Sequence, residues 1–518
     1  METKMNTRIL LTLLLLLATA IFFVVGQTKP SSRKVKDMPV NQGNLKAVDT
    51  ELTSQQVEIE NFITRANGQP VEIAADILFV LLAKDLVKDR NRKEVIVEDI
   101  FRRASEAVEP YKMSQREGLT DTRSGFRSMA FDLDLDRLSI QLRAVKLMLG
   151  INKLKARGLF QEISPLKLKA LSCEENLDYE ISEYYRILRN VVEETFDAES
   201  IERQEHIYFA AEHIASLDSP AQIRPMIDFI TSLKITSQQF NDHVDRLALS
   251  LRKVSVQPRS FAYSLKYGGV TERLKSTLLP RIEQKKGSPE TISKAYRSYL
   301  LKHLSATQCA DDLMTGQAEK PHPLIARANT LFTVPLDEDE IKPEKIEPGV
   351  KVFQYWSSPK SGRLLMEIKK LRFGTSKTEL SVVQKSDQQW HGSLLRFLDE
   401  MNNWRSDDEA NESDYINQKS VLYQTLLEIV PPDAVMRETV LREYAIFLRD
   451  SPTQKEIPSQ WLHSVKILLK LQKSLPADKQ KEFIDSLSTT GTQVFPLYFE
   501  LENLKRPVSN QNTGKSIR

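Results

Sequence analysis

Apolar residues return every three or four positions along most of this chain, which is the spacing of one face of an α-helix. Ile59, Phe62 and Ile63 begin the pattern after the capping pair Thr53-Ser54. Asn67-Gly68 stops that helix and Pro70 opens the next. Ile77 to Ala83 are apolar on every side, which predicts a helix buried all round at the centre of a bundle. A third helix is predicted from about 93 to 108, with Val95, Ile96, Ile100, Phe101 and Ala104 inward. Residues 112–131 are rich in Gly, Ser, Thr and Arg and read as a loop. Leu138, Leu142, Val145, Leu149, Leu154, Leu159 and Ile163 then carry the most regular stripe, with a break at Gly150.

Further helices are expected near 175–196, 199–216, 220–234, 237–254, 258–267, 271–285 and 289–306, then 417–429, 432–449, 458–474 and 477–488. Ser-Pro pairs at Ser164-Pro165, Ser219-Pro220, Ser288-Pro289, Ser358-Pro359 and Ser451-Pro452 mark helix starts, because Ser caps free amides and Pro fits the first turn. Their offsets follow no fixed period.

The segment Lys153 to Ile163, with Ala156, Phe160 and Ile163 before Pro165, resembles the second helix of a tetratricopeptide hairpin. The resemblance covers one hairpin, and no 34-residue recurrence follows it. The expected fold is therefore all-α: irregular antiparallel helical hairpins, in α-solenoid or tetratricopeptide-like style, in two blocks.

Residues 9–26 are uncharged and follow Lys4 and Arg8. A charged start, an apolar run and small residues near its end form a secretory signal, with cleavage after Gly26 leaving Gln27 first. As an uncleaved helix the same run would span about 27 Å, close to the roughly 30 Å of a hydrocarbon core, so a single-pass anchor is the alternative. Lys29, Arg33, Lys34 and Lys36 also permit a cytoplasmic body. Residues 1–26 are thus a signal peptide or membrane anchor, and 27–48 a polar, disordered leader. The helical domains are 49–314 and 351–506. Between them lies 315–350, Pro-rich and carrying the acidic run Asp337-Glu338-Asp339-Glu340. A polar, disordered tail covers 507–518.

Composition narrows the function. Hydrophobic residues make up 41% and charged residues 28% of 518 positions, which suits a globular body. Only 17 glycines argue against phosphate-binding Gly loops. A net charge of +3 provides no field to draw in nucleic acid, so none is expected as partner. No Walker loop, dinucleotide fingerprint, G-x-S-x-G, H-E-x-x-H or C-x-x-C occurs.

Four constellations carry candidate chemistry. Asp132, Asp134 and Asp136 alternate like calcium ligands, but Arg137 and Arg143 stand where the loop Gly and closing acid belong, so they read as acids at a helix start. Glu205-His206 and Glu212-His213 share a helical face, yet rings seven residues apart lie about 10 Å apart along the axis, too far for one ion. Cys173 and Cys309 are expected to form a disulfide in an oxidising compartment, contributing about 3–5 kcal/mol through chain entropy. Phe353, Tyr355, Trp356, Lys360, Arg363, Lys369, Lys370 and Arg372 interleave aromatic and basic residues, which fits nucleic acid or glycan but also an ordinary amphipathic helix.

The expectation is an exported helical-repeat interaction or scaffold protein, periplasmic or extracellular, with a protein or peptide as partner. Membrane contact is expected only through residues 9–26 if they stay uncleaved. No cofactor, metal ligand or catalytic residue is assigned. The alternatives are an α-helical enzyme with a site assembled from separate helices, and a structural envelope or secretion component.

Overall fold

A computed structural model describes residues 54–504, apart from 116–132, 164, 176, 267–268, 311–322, 338–340, 350–358, 406–411, 433, 452–457, 477, 481 and 484–493. The expectations for residues 1–53 and 507–518 lie outside these, as do the ends of the 315–350 stretch and most of the helix expected at 477–488. The fold is all-α, with two minimal strand pairs. Among the described residues no helix is long and apolar enough to cross a membrane.

The chain opens with α1 (Ser54–Asn67), α2 (Val71–Ala83) and α3 (Arg90–Arg103). Helix α2 is buried from Val71 to Phe79 and at Leu81 and Leu82, Glu72 and Asp76 included; of the band expected to be buried all round, Val80 is half-buried and Ala83 exposed. Helix α3 starts three residues before the expected position because Asp89 caps it, accepting from Arg92 N at 2.6 Å. Its inward face is Ile96, Val97, Ile100, Phe101 and Ala104; Val95 points to solvent instead. Helices α4 (Arg137–Ile151) and α5 (Lys153–Ile163) follow. The helix passes through Gly150 and breaks at Asn152, whose Oδ1 accepts from Lys155 N. Leu154 leaves the apolar stripe and is exposed.

No helix starts at Pro165. Leu166, Leu168 and Leu171 are all buried on a segment that is neither helix nor strand. Its carbonyls are taken from the side: Tyr111 Oη donates to Lys167 O and Tyr179 Oη to Lys169 O. Part of the expected loop and part of the helix expected at 175–196 instead form an antiparallel pair, β1 (Met113–Gln115) with β2 (Leu177–Tyr179).

Then come α6 (Ser182–Glu194), α7 (Ala198–Glu202), α8 (Glu205–Ala215), α9 (Ile223–Ser232), α10 (Ser237–Leu251) and α11 (Pro258–Lys266). The helix expected at 199–216 is two, because Gln204 takes a left-handed conformation at φ 59°. Between α12 (Val270–Arg273) and α13 (Leu279–Gln284), Leu274–Leu278 widen into a π-helix just before Pro280, which has no N–H to continue the α ladder. Helix α14 (Pro289–Leu304) leads to β3 (Gln308–Cys309), which pairs in parallel with β4 (Ile346–Glu347). Helix α15 (Pro323–Asn329) and β4 fall inside the stretch read as a linker, and Ile325, Ala328 and Leu336 there are buried.

The remaining helices are α16 (Pro359–Phe373), α17 (Val382–Lys385), α18 (Gln388–Asn402), α19 (Glu412–Ile429), α20 (Val435–Asp450), α21 (Pro458–Leu471) and α22 (Val494–Asn503). The described residues from 54 to 504 cluster as one compact unit, so the stretches read as two blocks pack together. Helices α21 and α22 lie on α2, and α22 also touches α1. Val494, Phe495, Leu497 and Leu501 are buried there. Asp76 on α2 accepts from Lys466 Nζ at 2.7 Å and from Tyr498 Oη at 2.5 Å, and Arg65 grips both oxygens of Glu500.

Candidate functional site

The expected constellations have definite places where they fall among the described residues. Asp136 caps α4, its Oδ1 accepting from Ser139 N at 3.0 Å, and burial pushes its carboxyl up to about 6. Asp134 pairs with Lys112 at 2.8 Å, while Asp132 lies outside the described residues. Asp136 thus serves the helix start. His213 is a core ring: its Nδ1 meets Phe209 O at 2.8 Å, and Phe160, Tyr184 and Phe209 surround it. His206 packs against Phe196, and Glu205 is taken by Arg203. Among the described residues no group of three or more His, Cys, Asp or Glu is placed to hold a metal ion.

Cys173 and Cys309 are joined by a disulfide, with Cα atoms 5.3 Å apart. It fastens the turn before β2 to strand β3, and both cysteines are buried. The Arg259 guanidinium, itself buried, donates to Cys173 O.

The aromatic part of the 351–372 constellation lies outside the described residues. Its basic part lies on α16, and three cations there have acidic partners: Arg363 with Glu400, Lys370 with Glu367, Arg372 with Glu379. What α16 does form is one wall of a groove. Helix α18 is the other wall, and α17 closes one end. The groove holds about 600 Å³. Its floor is apolar: Leu371, Leu380, Trp390 and Phe397. Its rim is polar and charged, with Glu367, Lys370, Arg396 and Glu400 facing across it.

Local rules build this shape. Gly374 ends α16 at φ 56°, its N–H donating to Lys370 O at 2.7 Å. Trp390 Nε1 donates to Leu371 O at 2.9 Å, so the indole satisfies a free carbonyl at the end of α16 while its ring forms floor. Asp387 caps α18 through Trp390 N at 2.8 Å.

The far end of α18 is held by a group that the sequence did not single out. Helix α19 is buried from Tyr415 to Ser420, although it carries Asn417, Gln418, Lys419 and Ser420 there. Lys419 Nζ donates to Trp404 O at 3.1 Å, just beyond α18, and to Tyr415 Oη at 2.9 Å. Tyr415, Phe447 and Trp404 put ring faces 5.0–6.0 Å from the ammonium. Burial, helped by Arg405 and opposed by Glu443, pushes the amine down to about 7. Only the unbroken polar run 417–420 in a helical register could have flagged it. Comparison of the chain with protein-family models gave no match, and comparison with curated proteins gave none either.

Proposed function

We propose that this is an exported interaction protein, sent out by residues 9–26, whose groove between α16 and α18 receives a short segment of a partner protein. The observation that carries the reading is the groove's build: an apolar floor under a polar rim, the arrangement of protein interfaces and binding clefts. From Gln389 to Glu400 the α18 wall runs about 17 Å, enough for about five extended residues. Stacked helices such as α8, α10 and α14, which pack in succession, support the helical-repeat part of the reading.

The enzymatic alternative has one observation in its favour, the buried amine of Lys419, since displaced amines mark reactive sites. Lys419 is 3% exposed, so a substrate reaches Nζ only if α18 or α19 moves, and this reading ranks second.

The test is selection of peptides from a random display library on the full chain, with a photo-crosslinker at position 389. Enriched peptides should crosslink from 389 and not from position 435, an exposed site outside the groove lining. No enrichment, or equal crosslinking from both positions, overturns the groove and leaves a structural component as the better account.

A further inference from the structure

The groove's charges are unequally committed. Each of its three carboxylates is engaged: Glu367 with Lys370 at 2.5 Å, Asp387 with Trp390 N, and Glu400 with Arg363 at 3.2 Å. Of its two cations, Lys370 is taken by Glu367. Arg396 donates only within its own helical turn, to Gly392 O at 3.4 Å and Ser393 Oγ at 3.3 Å. Among the described residues it pairs with no carboxylate. The charge left to the groove is therefore a guanidinium, a planar fork that suits a carboxylate.

The end of the groove adds an apolar demand. Helix α17 is a single turn, held by the capping box of Ser381 and Gln384 and by Lys385 on Glu379. Val383 O accepts from Ser386 in that turn, while the two valine side chains face solvent. Val382 is 63% and Val383 79% exposed, and they follow Leu380 of the floor by two and three residues in the chain. Two adjacent solvent-facing valines at the end of the groove offer apolar surface that a partner would cover.

We propose that the segment received by the groove is acidic: a short stretch of partner chain that offers a carboxylate to Arg396 and aliphatic side chains to Val382, Val383 and the Leu380–Trp390–Phe397 floor. This rests on the groove being the interaction site proposed above. The carboxylate fixes position along α18, and the aliphatic groups cover the valines. A rim ion pair contributes modestly to affinity, and Arg396 acts mainly in the choice between partners.

The probe is a fluorescein-labelled peptide of sequence L-D-E-L-L, with its amide twin L-N-Q-L-L, titrated by anisotropy against the full chain at low salt. The acidic peptide should bind at least fivefold tighter than the twin, about 1 kcal/mol. Arg396→Glu, an exposed substitution, should abolish or reverse that preference, and Arg396→Lys should keep part of it. Val383→Asp should weaken the acidic peptide at least threefold. Equal binding of the twins, failure of both to bind, or an unchanged preference in Arg396→Glu overturns the proposal. Display-selected peptides that crosslink from position 389 but carry no acids would sink the acidic chemistry and leave the groove standing.

Discussion

Replacing Lys419 with Met should make the protein more stable, and the gain should depend on pH. The amine sits near 7 in the fold against 10.5 in an unfolded chain, and at about 1.4 kcal/mol per pH unit that gap corresponds to about 5 kcal/mol. The sign follows from proton counts. Between about 7 and 10.5 the unfolded chain holds a proton that the folded one has released, so this group makes stability rise with pH across that window. Below about 7 both states are charged, and the cost of the buried ammonium is complete. Met keeps the stem and the ring contacts. Trp404 O is not orphaned, because Tyr415 Oη still donates to it at 2.9 Å. Against the relief stand two lost hydrogen bonds, each about 1 kcal/mol, and the cation–π contacts. We expect Lys419→Met to gain about 1–4 kcal/mol at pH 6, shrinking to about 1 kcal/mol or less by pH 9. Urea unfolding of both proteins at pH 6, 7, 8 and 9 measures the difference, in which shared titrations cancel. A difference that is flat across that range, or a variant clearly less stable than the parent at pH 6, refutes the argument.

Asp76→Ala removes the acceptor shared by Lys466 and Tyr498 and should cost about 2–4 kcal/mol, with faster amide exchange in Val494–Asn503 than in α9. Unchanged exchange in α22 would show that Asp76 does not hold it. Cys173→Ser opens a bond between residues 136 apart and should lower stability by about 2–5 kcal/mol; an unchanged midpoint, or alkylation of both thiols in the native oxidised parent, would count against the bond. Gly287→Ala places a Cβ 2.9 Å from Asn241 Cγ and Ile282 Cγ2, which should cost about 1–3 kcal/mol in a thermal or urea midpoint, and a neutral result would mean that α10 and α13 can part there.

The helices whose burial is set by their own sequence were the legible part. Helix α2 carries the apolar run Ile77 to Ala83, α10 begins at a Thr236–Gln239 capping box, and α14 starts at Ser288-Pro289, so local rules and packing agree. Where distant partners decide, the sequence misleads. Pro165 precedes a segment that is neither helix nor strand because Tyr111 and Tyr179 take its carbonyls, and neither tyrosine is near it in the pattern of apolar positions. Gln204 breaks a helix through a left-handed backbone that nothing in its residue type requires. The candidate site was less legible than the fold. Helix α18 has an apolar face at Trp390, Leu394, Phe397 and Met401, yet it was not picked out within the second block. A groove is a relation between two helices, and charge commitment depends on which side chains meet across it. The basic residues of α16 were visible, but that Glu400 and Glu379 would take Arg363 and Arg372 was not.

The groove itself is best tested by amide hydrogen exchange of the full chain with and without a display-selected segment. The account predicts slowed exchange confined to residues 359–402, the walls and the end of the groove. Protection centred elsewhere, or none at saturating segment, would contradict it.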